Sequence, residues 1–195
     1  QGSSLIDAMI VMEEIAKVCP HTADLFQVGN FGAIKQVATY GSKELKKKVL
    51  PSIQAGEKLI SVGMSEPDAG SATTDLKTIA RIEKEKVIIN GSKIFNTHGP
   101  SNSFYVVWVR FGKGVKSSGA ILVERDAPGL TVGKRETHMS GEEHSALYFD
   151  NCEVPIENIL VGEDGFRKLF KMFNVERSGN ATRALALAQS AFDKA

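Results

Sequence analysis

Between Gly63 and Ala80 the chain reads GMSEPDAGSATTDLKTIA, too polar for a buried strand and too irregular for an amphipathic helix. Pro67 and Gly70 stiffen and turn this stretch, and Gly70 lets backbone come close to a ligand. Ser65 and Ser71 add hydroxyls and backbone N–H donors suited to the polar edge of a ring or to phosphate. A second stretch, INGSKIFNTHG from Ile89 to Gly99, sets Phe95 and Thr97 two apart, so a strand would turn an aromatic plane and a hydroxyl to one face. Such a pair can pack on a flat heterocycle and hydrogen-bond its edge. Alone, the first stretch would pass for a rigid surface turn and the second for a half-buried core pair. His98 and His144 each lack a second ligand at metal spacing and read as structural or exposed. No metal site is expected.

The elements that must position these residues fall into three textures. The chain has 195 residues, 42% apolar and 24% charged, enough for one large domain or two small ones with a real core. Its formal net charge of +1, with charges scattered, gives no nucleic-acid footprint and no acidic tail. The basic run KELKKKVL, Lys43 to Leu50, reads as the solvated face of a helix in preference to a phosphate-binding patch. Cys19 and Cys152 stand far apart with no ligand spacing, so neither a disulfide framework nor zinc is indicated and a reducing, intracellular setting is expected. The longest apolar run, FYVVWV from Phe104, is too short to cross a bilayer, which makes a soluble protein the expectation.

From Leu5 to Val18, Leu5, Met9, Met12 and Ala16 fall at helical spacing, and Pro20 ends the run. A second helical stretch runs from His21 towards Tyr40, interrupted or bent near Gly29 and Gly32, after which Gly41 is a stop and Ser42 an N-cap. Beyond Gly56 come short β-rich runs, LISVGM, LKTIARI, KVIINGSK, FYVVWVRF, GAILVER, LTVGKRE and SALYFDN, separated by turn residues. They predict an antiparallel barrel or sandwich. Helical periodicity returns near the end, with Ala181, Leu185, Ala188 and Phe192 on a stripe that asks for a close-packed neighbour.

With these segments in order, the chain resembles the flavin-dependent acyl-CoA dehydrogenases. VGMSEPDAGSATTDLKTIA matches the family's Ser/Thr-Glu-Pro-x-Ala-Gly-Ser segment, and INGSKIFNTHG its Asn-Gly-x-Lys-x-aromatic-x-Thr segment. DAPGLTVG, LYFDNCEVPIENILVGEDG and ERSGNATRALALAQ follow in family order. The resemblance implies an α+β multidomain fold: N-terminal α-helices over 1–58, a central antiparallel β-barrel over 59–160, and the start of a C-terminal helical bundle over 161–195. By that comparison the first helices and most of the bundle are missing, as in part of a longer protein. It also implies FAD along the backbone from Val62 to Ser71, with Val62, Met64, Ser65, Gly70, Ser71, Phe95, Asn96 and Thr97 as its contacts. Phe95 stands where the family usually has Trp, a flat surface of smaller area without an indole N–H.

For substrate, the resemblance implicates Ser71, the loop residues Ser117 and Ser118, Asn174 near the pantetheine arm and Arg177 near the CoA diphosphate. Most of the family carries its catalytic Glu late in the bundle, while a subset like the isovaleryl- and long-chain enzymes has a Glu-Arg pair in the first bundle helix. Glu176-Arg177 stands at that second position, implying Glu176 as the base; otherwise it is an ordinary charged residue pairing one turn away. The implied reaction is α,β-desaturation of an acyl-CoA, with electrons passing to an electron-transferring flavoprotein and assembly as a homotetramer. The implied setting is cytoplasm if bacterial, mitochondrial matrix if eukaryotic. Fold alone does not fix the reaction. An enoyl-CoA reductase, a flavin monooxygenase, a nitroalkane oxidase or a non-catalytic CoA- or protein-binding member would share it.

Overall fold

A computed structural model describes residues 4–139 and 141–195. Helix α1 (Leu5–Val18) starts on a capping box, in which Ser4 and Asp7 satisfy each other's backbone N–H, and buries Met12 and Ala16 completely. Cys19 ends α1 and opens α2 (Pro20–Asn30), whose first residue is a proline where the missing N–H costs nothing. Of the interruption or bend expected near Gly29 and Gly32, the structure has the interruption: Phe31 is extended, and α3 (Gly32–Tyr40) begins afresh. Gly41 and Ser42 stop and restart the chain as expected, the Ser42 hydroxyl accepting from Leu45 N. In α4 (Lys43–Gln54), Leu45, Val49 and Ile53 face inward, most of the lysines stay in water, and Lys48 pairs with Glu124 at 2.6 Å.

Nine strands follow among the described residues: β1 (Ile60–Gly63), β2 (Ile79–Glu83), β3 (Lys86–Thr97), β4 (Phe104–Arg110), β5 (Ser118–Glu124), β6 (Leu130–Val132), β7 (Glu136–Thr137), β8 (Glu143–Pro155) and β9 (Ile159–Val161). The order is β6-β8-β3-β2-β4-β5-β9, with β1 beside β4 and β7 beside β8. Most pairings are antiparallel, as expected, but two parallel ones make the sheet mixed. β1 runs parallel to β4, Ile60 opposite Phe104 through Gly63 opposite Val107, and β2 meets β4 in the same sense at Ile79 and Arg110. These two strands therefore lie in line along one edge of β4, and the irregular segment 64–78 is an excursion between them.

β4 is buried on both faces, which explains its unbroken apolar run. Tyr105, Val107 and Val109 point into a core with Ile121, Val123, Leu147 and Phe149. Phe104, Val106 and Trp108 point the other way, onto Val37, Val49 and Leu169 of the helices. Helix α5 (Phe166–Lys194) buries Leu169, Met172, Gly179, Thr182 and Ala186. The predicted stripe lies on its other side: Ala181 and Ala188 are exposed, as are Leu185 at 63% and Phe192 at 78%. No helix among the described residues is long and apolar enough to cross a membrane.

Candidate active site

Where α2, α3 and α5 meet β1 and the end of β3, the structure leaves a cavity of about 200 Å³. Val28, Phe31, Ala33, Ile60, Trp108 and Phe173 make its apolar wall, and Glu176 stands among them. Of the residues expected to bind cofactor, Val62, Met64, Ser65, Phe95 and Thr97 line this cavity. Gly70 and Ser71 lie further out, exposed at the tip of the excursion. Asn96 turns inward instead, buried, with its Nδ2 donating to Ser145 O at 3.3 Å.

Phe95 and Thr97 reach the same cavity, though not by simple strand alternation. The β3–β8 register shifts between Lys93 and Asn96, and Phe95 takes a left-handed backbone conformation with φ 56°. A bulky aromatic held in that conformation and 61% exposed is costly unless something flat covers it. Thr97 Oγ1 lies 3.5 Å from His144 Nε2. The residues present therefore fit a planar, polar-edged ligand: an apolar face from Phe95 and Met64, with hydroxyls from Ser65 and Thr97.

The excursion is anchored by a buried ion pair. Lys93 Nζ donates to Glu66 Oε1 at 2.7 Å and to Met64 O at 3.1 Å, while Lys77 N and Thr78 N donate to the Glu66 carboxylate at 2.5 and 3.0 Å. Both side chains are inaccessible to water, 0% and 4% exposed. Burial pulls the Lys93 ammonium down to about 8, against the attraction of Glu66. Burial pushes the Glu66 carboxyl up, but Lys93 and the hydrogen bonds outweigh it and hold the group below its ordinary value.

Glu176 is partly buried on α5, and burial raises its carboxyl above the ordinary value; a hydrogen bond from Gln27 opposes this. Its seat is made by a missing side chain, because a Cβ on Gly32 would overlap Glu176 Oε2. Asn174 and Arg177 flank it on the exposed side of α5, the Arg177 guanidinium 4.6 Å from the centre of the Phe173 ring. Ser117 and Ser118 lie apart from the cavity: both are buried, and the Ser117 hydroxyl is spent on Gly112 O and Gly114 O. Among the described residues no group of three or more His, Cys, Asp or Glu is placed to hold a metal.

Several members of the site escaped the sequence reading. Gln27 and Gly32 shape the surroundings of Glu176, and Gln36, buried on the cavity wall, accepts from Trp108 Nε1 at 3.2 Å. Asp24 is buried between His98, at 3.2 Å, and Arg183. Asp24 and Gln27 stand three apart in α2, and two polar residues on the inward face of a helix were the available signal.

Comparison with known proteins shows the family and the fold. The model of the acyl-CoA dehydrogenase N-terminal domain matches residues 1–57, and that of the acyl-CoA dehydrogenase middle domain matches residues 61–152. An acyl-CoA dehydrogenase of Bacillus subtilis is 32% identical over 199 residues, covering 100% of this chain and 52% of its own. The structure of a glutaryl-CoA dehydrogenase in complex with glutaryl-CoA superposes with a TM-score of 0.93 at 30% identity, over 99% of this chain and 51% of that one. A Mycobacterium smegmatis glutaryl-CoA dehydrogenase in complex with FADH2 gives 0.89 at 25% identity, over 98% and 50%. The chain thus spans about half the length of the curated relatives it matches. With both domain models matched in order and the fold shared almost from end to end, the chain belongs to the acyl-CoA dehydrogenase family.

Proposed function

We propose that this chain supplies the cofactor and acyl-thioester site of an FAD-dependent acyl-CoA dehydrogenase, which desaturates the Cα–Cβ bond of an acyl-CoA. The observation that carries the reading is the position of Glu176, a carboxylate raised by burial, on the same apolar cavity as Met64, Ser65, Phe95 and Thr97. A base for an α proton must be ionised before the transfer and hold the proton afterwards, which a raised carboxyl does better than an exposed one. A bound flavin would supply the acceptor for the β hydride.

Everything else is the work of the chain's own residues. Phe95 and Met64 offer the apolar surface for the ring, and Ser65 and Thr97 the hydroxyls for its edge. Gly70 and Ser71, exposed at the tip of the excursion, leave backbone room for phosphate. Phe31, Val28, Trp108 and Phe173 cover the acyl carbons and keep water from Glu176. Asn174 and Arg177 face outward, where Asn174 serves the pantetheine arm and Arg177 the CoA diphosphate. Relatives solved with glutaryl-CoA and with FADH2 support the two ligand classes. Transfer of electrons to an electron-transferring flavoprotein, and assembly as a homotetramer with helical, barrel and bundle domains meeting near residues 58 and 160, complete the proposal.

The test is Glu176→Gln in the flavin-loaded protein that carries this chain. Exchange of the acyl-CoA α protons with D2O should fall by about 10²-fold or more, while the visible flavin spectrum persists. Exchange at near the unsubstituted rate would remove Glu176 as the base.

A further inference from the structure

Gln27 lies on α2 with 3% exposure, and its Nε2 donates at 2.6 Å to Glu176 Oε1 and at 2.6 Å to Asn180 Oδ1. Both amide hydrogens are thus used on α5. The orientation follows from chemistry, since the reversed amide would set its oxygen against two other oxygens. On its other side the carboxylate meets the bare backbone of Gly32, with Oε2 nearest the position a Cβ would take. Among the described residues Oε2 accepts no hydrogen bond.

We propose that Gln27 is the positioning residue of Glu176, holding Oε1 so that Oε2 remains free to take a proton at the cavity. This rests on Glu176 being the base. Gln27 Oε1 is buried and has no partner among the described residues, which is costly for an amide. Once Oε2 carries the proton, Oε1 is a carbonyl oxygen that still accepts from Nε2, so the same hydrogen bond serves both protonation states. The charged groups facing Glu176 are Asp24 from α2, which raises its carboxyl, and Arg183 further along α5, which lowers it. From α3, β1, the segment after β1, and β3, the cavity it stands on is lined by Gly32, Ala33, Ser61, Ser65 and Thr97, none of them charged.

Gln27→Met keeps the length of the side chain and deletes a hydrogen bond to a charged acceptor. Glu176 should then titrate about one pH unit higher, read by ¹³C NMR of its side-chain carboxyl in the flavin-loaded protein without substrate. The acid limb of kcat should move up by the same amount, so that turnover below the limb falls about tenfold while KM for the acyl-CoA stays near its original value. Gln27→Glu keeps the shape, adds a like charge and should raise the midpoint further, which serves if the methionine variant does not fold. An unmoved Glu176 midpoint in these variants overturns the positioning role. Retained α-proton exchange in Glu176→Gln overturns the base instead, whatever the midpoint does.

Discussion

A missing side chain decides where the carboxylate of Glu176 can sit. Gly32 has φ 48°, a conformation that other residues enter at a cost, and its α-hydrogen faces Glu176 Oε2. Gly32→Ala should therefore cost about 2–4 kcal/mol, combining backbone strain with overpacking. Urea denaturation of Gly32→Ala, Glu176→Ala and the double variant separates the two parts. The strain remains in the double variant, but the overlap is relieved, so the pair should show a coupling of about 1 kcal/mol or more. Additive losses would mean that Gly32 matters only for its backbone. The sequence marked Gly32 as a bend, a local property that single residues display. That Glu176 fills the space above it depends on how α5 crosses α3, which no local pattern records.

At the scale of elements, the excursion between β1 and β2 is held by Glu66 and Lys93. Removing one partner of a buried pair leaves the other charge without compensation, and Glu66 would keep only its two backbone donors. Lys93→Met should destabilise the protein by about 3–5 kcal/mol and loosen the segment that carries Ser65. Hydrogen exchange should show the amides of Lys77 and Thr78, which bond to Glu66, losing protection more than those of β4; uniform loss across the sheet would contradict this. The irregularity of the excursion was legible because Pro67 and Gly70 break both periodicities. Its role in splitting one strand line into β1 and β2 was not, since parallel pairing depends on where the chain returns. The stripe on α5 shows the opposite case. Helical spacing identified Leu185 and Phe192 correctly as one face, but spacing cannot say which face packs, and Gly179 and Ala186 are the ones that meet α1 and α2.

Across the whole molecule, one carboxylate joins the three textures read from the sequence. Asp24 on α2 pairs with His98 in the turn after β3 at 3.2 Å and accepts from Arg183 on α5, which also reaches Glu142 beside β8 at 3.5 Å. Burial pushes the Asp24 carboxyl up, but His98 and Arg183 outweigh it and hold the group below its ordinary value. A carboxyl lowered by folding stabilises the native state above its unfolded value, and that contribution is lost as pH falls through the folded one. Stability should therefore decline below about pH 4, and Asp24→Asn should flatten that decline while lowering stability at pH 7 by about 1–3 kcal/mol, because Arg183 keeps only its longer contact with Glu142. The same substitution removes a negative charge that raises Glu176, so the Glu176 carboxyl should titrate lower in Asp24→Asn, opposite to its movement in Gln27→Met. Urea denaturation at pH 7 and pH 3, with ¹³C titration of Glu176, checks both. If Asp24→Asn kept the full acid dependence, the junction would draw its pH sensitivity from another carboxylate; if Glu176 did not move, the seam between α2 and α5 would hold its charges independently rather than as one coupled set.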